Sequence, residues 1–467
     1  MQYLTRLSFS TATLLALAIS SISASGLANG NRHSSQEETA LYLFTNVNVW
    51  DGTAESLTTG VQVLVEGNLI KQVGKELNAK GAMEIDGQGK TLMPGLIDMH
   101  SHLCFQNGML DGRGDFDQMA MGAMAAHDMV GYLDQGFTTA RDAGGNILGL
   151  AKAVNAGRIP GPRLFPAGAF LSQTGGHADT GFFNDPLHAV DPLEYHGVGY
   201  VVDGVPEVLK AARINLRAGA THIKIMAGGG VASEFDPIHT TQFTLEEMKA
   251  AVKVAADYGT YVMAHAYHDR SVNRCMDAGV KVIEHNFLVS EKTIKRMKAE
   301  GVALSCQAVM SVVAFANPES ITFFNKDQKE KAFSVYKGAK QMFEWANKHD
   351  LLIVSGGDMF GPAYTGIQAD NITAMVDLAG FSEYKALKSA TSNAATVLGW
   401  SGGMNPYKAG PLGVIQEGAY ADVIIVDGNP LEDIHMLERD HVRFVMKDGR
   451  VYKDNLASGI IEASHKR

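Results

Sequence analysis

His100-Ser101-His102 is the pair of residues most able to do chemistry in this chain. In an extended strand, residues i and i+2 point to the same side, so both imidazoles can face one metal ion. An isolated pair of this kind is more often a surface-loop feature. This pair, however, ends the apolar run Met93-Pro-Gly-Leu-Ile-Asp-Met-His-Ser-His102. Four more chemically capable residues stand at similar places. Lys224 lies inside His222-Ile-Lys-Ile-Met226, and His265 follows Val262-Met-Ala264. His285 follows Val282-Ile-Glu284, and Asp358 follows Val354-Ser-Gly-Gly357. Taken singly, each has a structural reading: a snorkelling lysine, two satisfied core histidines, and a turn aspartate.

These residues need elements to hold them. Eight short apolar runs punctuate the middle of the chain, at 95–99, 137–140, 163–166, 222–226, 261–264, 280–283, 302–304 and 351–354. Amphipathic stretches separate several of them. One runs from Thr244 to Asp257 and opens with Thr244 and Glu247 in capping-box spacing. Alternating strands and helices imply a parallel sheet, and eight repeats favour a closed (β/α)₈ barrel at 93–400. The chemically informative residues fall at the C-terminal ends of these strands, the active-site face of such a barrel. Period-two texture at 41–50, 61–65 and 69–73 returns at 413–415, 421–427 and 442–446. Lys447-Asp-Gly449 is a hairpin signal. Both ends, 41–92 and 401–455, therefore predict one composite β-sandwich domain.

The motif Pro-Gly-Leu-Ile-Asp98-Met-His100-Ser-His102, followed in order by Lys224, His265, His285 and Asp358, resembles the amidohydrolase superfamily. The resemblance spans about residues 41–455 and is nearest to the imidazolonepropionase-like and prolidase-like branch. It implies two divalent metals, with Zn²⁺ suited to the nitrogen and oxygen ligands. His100, His102 and Asp358 would bind the more buried metal, and His265 and His285 the more exposed one. Lys224 would bridge them after N-carboxylation by CO₂, because a free ammonium has no lone pair to give. A bridging hydroxide would attack the substrate, with Asp358 moving the proton. The implied activity is hydrolysis of the amide bond of a dipeptide or N-acyl amino acid, as in Xaa-Pro, Xaa-Lys/Arg and ochratoxin-cleaving enzymes. Hydrolysis of a cyclic amide or lactone, an imidazolonepropionase-like reaction, deamination with Glu284 as acid, and a non-catalytic binding relative remain the alternatives. His177, Arg141, Tyr267 and His268 are further candidates for substrate contact on the same face, with an internal ion pair favoured for Arg141.

Composition sets the outer limits. The chain has 467 residues, 46% of them hydrophobic, which suffices for a large core. Its net charge of −10 and lack of a long basic run give no sign of a nucleic-acid footprint. Arg6, the apolar stretch from Thr11 to Ile22 and the small residues up to Ala28 predict a signal peptide over 1–28 and export to the periplasm or medium. That stretch is shorter than the ~20 residues needed to cross a bilayer, so no membrane insertion is expected after its removal. Three cysteines, Cys104, Cys275 and Cys306, argue against a disulfide framework. The expected partner is a small amide substrate, and a homo-oligomer is compatible with a barrel of this size.

Overall fold

The computed structural model describes residues 40–105, 117–233, 236–359, 361 and 366–456. The expected signal peptide lies outside them. The chain opens with β1 (Leu41–Val49), β2 (Thr58–Glu66), β3 (Leu69–Gly74), β4 (Met83–Asp86) and β5 (Thr91–Pro94). Along β1, buried residues alternate with more accessible ones, as the period-two pattern predicts.

The middle of the chain holds parallel strands. β6 (Leu96–Ser101), β7 (Phe137–Asp142) and β8 (Arg163–Phe165) form one three-stranded sheet. β9 (Phe170–Ser172), β10 (Gly199–Val201), β11 (Ile223–Met226), β12 (Val262–His268), β13 (Val282–Leu288), β14 (Ala303–Cys306) and β15 (Ile353–Ser355) form another, in the order β10-β9-β11-β12-β13-β14-β15. Most of these strands are buried along their whole length, as expected when helices cover one face of a sheet and side chains fill the other. Hydrogen bonds join the two sheets at two seams. The Thr221 amide, just before β11, donates to Pro166 O, just after β8, at 2.7 Å. The Asp358 amide, just after β15, donates to His100 O in β6 at 2.7 Å. The helix Leu245–Asp257 between β11 and β12 carries the expected capping box of Thr244 and Glu247.

The chain ends with β16 (Val423–Val426), β17 (Val442–Lys447) and β18 (Arg450–Asp454). They join the first five strands in one sheet, ordered β18-β17-β16-β5-β1-β2-β3 with β4 beside β1. The turn between β17 and β18 places Asp448 and Gly449 at φ 56° and 70°, the left-handed pair that a tight hairpin uses. Segment 413–415 is not a strand. Gly413 turns the chain at φ 69°, and the Ile415 amide donates to Asp51 O at 3.0 Å, outside any ladder. The strands at 83–86, 91–94, 170–172 and 199–201 escape sequence periodicity because each has only three or four residues.

A buried ion pair links the two regions. Arg163 of β8 donates to both carboxylate oxygens of Asp422, at 2.7 and 3.1 Å, and to Asp448 at 2.6 Å. Its guanidinium also lies 3.9 Å from the centroid of the Tyr420 ring. Beside it, Lys447 Nζ donates to Gly161 O at 2.9 Å.

Candidate metal centre and active site

Asp98 fixes the start of the site. Its Oδ1 accepts the amides of His100 and Gly357, each at 3.0 Å, and its Oδ2 accepts the Tyr132 hydroxyl at 3.1 Å. One buried carboxylate thus clamps the end of β6 to the loop that follows β15. Gly356 permits the approach, because a Cβ there would stand 2.5 Å from the Cβ of His100.

Both imidazoles of the pair are oriented from behind. His100 Nδ1 donates to Glu284 Oε2 at 2.6 Å, and His102 Nδ1 donates to Gly144 O at 3.1 Å. This leaves each Nε2 as a lone pair. The two Nε2 atoms are 3.3 Å apart, and Asp358 Oδ1 lies 3.3 Å from one and 3.4 Å from the other. Three acceptors facing one another in a buried site repel unless a cation lies among them. The donor set therefore fits a divalent metal, with the Nδ1 contacts orienting the ligands as in known metal sites. His285 joins the group: ligand atoms of His100, His285 and Asp358 all lie within 4.8 Å of one another.

The backbone is bent to achieve this. His285 and Asn286 have φ values of 74° and 62°, at an irregularity in the pairing of β12 with β13. Asp358 has φ 52°. Left-handed backbone costs energy in residues other than glycine and persists where surrounding contacts impose it. Here the His285 amide donates to Gln307 Oε1 at 3.0 Å, while the Asp358 amide is held by His100 O.

Lys224, 1% exposed, and His265 complete the cavity floor. Burial pulls the Lys224 ammonium down to about 8. His285 is lowered to about 4, again chiefly by burial. Asp358 stays far below the usual carboxylate range: burial opposes its charge, but His100, His102 and His285 more than offset that. The His265 ring lies 4.6 Å from that of His285 and stacks on His177 with centroids 4.0 Å apart. His265 Nε2 is 3.3 Å from Gly229 O.

Of the four candidates for substrate contact, His177 and Tyr267 line the cavity and Arg141 and His268 do not. Arg141 is fully buried. It donates to Glu284 Oε1 at 2.7 Å and to Met99 O at 2.7 Å, so it braces Glu284 behind His100. Its strand neighbour Asp142 instead accepts the amides of Leu103 and Gly144, and burial pushes it up to about 7. Glu284, held between Arg141 and His100, does not reach the cavity and has no access to a substrate as an acid.

Sequence reading missed the wall. An open cavity of about 840 Å³, its mouth included, rises above the ligands. Its sides are Phe105, Phe170, Met226, Val231, Met310, Phe315, Ile321, Phe323 and Phe324. Five of these come from the irregular turns between β14 and the helix Lys326–Lys348. The only trace in the sequence is the apolar character of a segment that matches neither strand nor helix period.

The chain belongs to the amidohydrolase family, which it matches over residues 91–452. It is 32% identical to an ochratoxinase of Aspergillus niger over 386 residues, 78% of this chain and 75% of the relative. A solved prolidase in complex with N-methylphosphonate-L-proline superposes with a TM-score of 0.81 at 34% identity, covering 89% of this chain and all of that one. A Xaa-Pro dipeptidase with methionine bound in its active site superposes at 0.78, with 30% identity and the same coverage.

Proposed function

We propose that this protein is a metal-dependent hydrolase that cleaves the amide bond of a dipeptide or N-acyl amino acid bearing an apolar group. The observation that carries the reading is the convergence of His100, His102 and Asp358 lone pairs beneath an apolar cavity. Relatives that cleave ochratoxin and Xaa-Pro dipeptides support the bond type. The described side chains above the ligand atoms are mostly apolar. Apolar walls favour an aromatic or aliphatic group.

Bound divalent metals, Zn²⁺ in the first instance, supply an activated water and polarise the scissile carbonyl. The chain's own residues do the rest. His100, His102 and Asp358 would hold one metal, His265 and His285 would hold a second, and Lys224, if N-carboxylated, would contribute oxygen ligands to both. Asp358, anionic throughout the working range, accepts a proton from the attacking water and returns it to the leaving nitrogen. The apolar wall excludes bulk water, and His177 and Tyr267 orient the substrate.

The wider reading is of a piece with this. The seams at Thr221–Pro166 and Asp358–His100 support closure of the two parallel sheets into a (β/α)₈ barrel. Hydrogen bonds from Ile70 N to Ala419 O and Gly418 N to Ile70 O fold the β3 edge toward β16, which supports a sandwich built from both ends. The composition of residues 1–28 supports export. The test is release of free amine from a panel of dipeptides and N-acyl amino acids by metal-loaded and chelator-treated protein. Metal-dependent release, strongest with large apolar groups, is expected. No release from any member by the metal-loaded protein would move the assignment to a lactone, a cyclic amide or an aminated ring.

A further inference from the structure

Among the described residues lining the cavity, His177 is the histidine with no place in the proposed metal set, and an unassigned socket grips it. Its Nδ1 lies 2.8 Å from Ser233 Oγ and 3.3 Å from Asp236 Oδ2. Ser233 Oγ in turn donates to Asp236 Oδ1. Asp236 is only 2% exposed and also accepts the Gly230 amide at 2.9 Å and Gln242 Nε2 at 3.2 Å. One face of the ring rests on His265, and its edge presses on Gly230, where a Cβ would come within 2.0 Å of the ring. The socket is anchored from outside. Gln328 and Lys331 of the helix Lys326–Lys348 donate to the carbonyls of Ala232, Ser233 and Asp236, at 2.6, 3.0 and 2.8 Å.

We infer that Asp236 is the positioning residue of His177: with Ser233 it occupies Nδ1, fixes the tautomer, and turns Nε2 toward the substrate's polar group beside the scissile amide. A carboxylate behind an imidazole commonly sets which nitrogen faces the reaction. Gly230 supplies the space that lets the loop close on the ring. The kinetic consequence rests on the amide-hydrolase reading; the orientation of the ring does not.

The test uses full-length, metal-loaded protein carrying Asp236→Asn, His177→Gln or both. With the best substrate of the panel, Asp236→Asn is expected to raise KM about tenfold with kcat within about threefold, the signature of one misdirected hydrogen bond. In the His177→Gln background the same change should add nothing, because the residue it positions is gone. Spectra of ¹⁵N-histidine-labelled protein should assign His177 to the Nδ1–H tautomer in the wild type and lose that state in Asp236→Asn. A KM effect of equal size with and without His177, or an unchanged tautomer, overturns the inference. If the wild type splits no amide, the function reading fails while the spectra still decide this one. Should Asp236→Asn not fold, Gly230→Ala is expected to give the same KM rise by displacing the ring, and no rise would overturn the role of the socket.

Discussion

Lys224 stands in the floor of this cavity, and the proposed two-metal site requires it to be N-carboxylated. As an ammonium it has three donors and no lone pair, so it cannot ligate a metal; as an N-carboxylate it would offer two oxygens. Lys224→Ala is therefore expected to lose both metal content and turnover, measured by elemental analysis and amine release. Short carboxylic acids with bicarbonate should restore part of both. Full activity with two metals retained would end the two-metal reading. Glu284 makes a different prediction. Glu284→Gln keeps the shape but removes the charge behind His100, and metal affinity should fall about 10–100-fold in a chelator competition. Glu284→Ala also strands the Arg141 guanidinium in the core, costing about 3–5 kcal/mol in denaturant unfolding. The sequence exposes His100 and His102 through their i, i+2 spacing and strand-end position. It hides the Arg141–Glu284–His100 chain, whose members are 143 and 184 residues apart. No local pattern encodes which buried carboxylate will meet which buried cation.

At the scale of elements, legibility follows length and period. The helix at 245–257 announces itself through its cap and its apolar stripe. Thr244→Ala should cost about 1 kcal/mol, read as a lowered denaturation midpoint with unchanged metal content. Each of the eight apolar runs at 95–99 through 351–354 overlaps a strand, although 280–281 and 351–352 lie just before theirs. The three-residue strands β9 and β10 and the wall at 309–324 do not show in the sequence, because a π-turn followed by 3₁₀ turns has no repeat long enough to read. That wall makes its own prediction. Phe324→Ala should lower kcat/KM for an aromatic substrate about tenfold more than for one with a small side chain, since it removes contact area only the larger group uses. Equal losses on both substrates would mean that the wall does not touch the bound ligand.

For the whole molecule, the join between the parallel strands and the eight-stranded sheet is electrostatic as well as apolar. Asp422→Ala should destabilise the protein by about 3 kcal/mol, at the low end for a broken buried pair because Asp448 stays beside Arg163. Lys447 sets a pH dependence. Burial lowers it from 10.5 to about 8, so between those values the unfolded chain binds more protons than the folded one. Stability contributed by this group therefore rises with pH across that window, and is least below about 8. Lys447→Met should be more stable than wild type at pH 7, with the advantage shrinking toward pH 10.5 in parallel denaturant titrations. The split β region is visible in the sequence as a texture shared by both ends; its strand order is not, because nothing local tells β5 that its second neighbour is β16. That neighbour relation has a further consequence. Translation makes β5 early and β16 only after the entire α/β region. Until then one edge of β5 is bare, and a bare edge is a template for pairing with another chain. A nascent copy on a crowded polysome is thus most exposed to its siblings just before its final strands leave the ribosome, and chaperone demand should peak there.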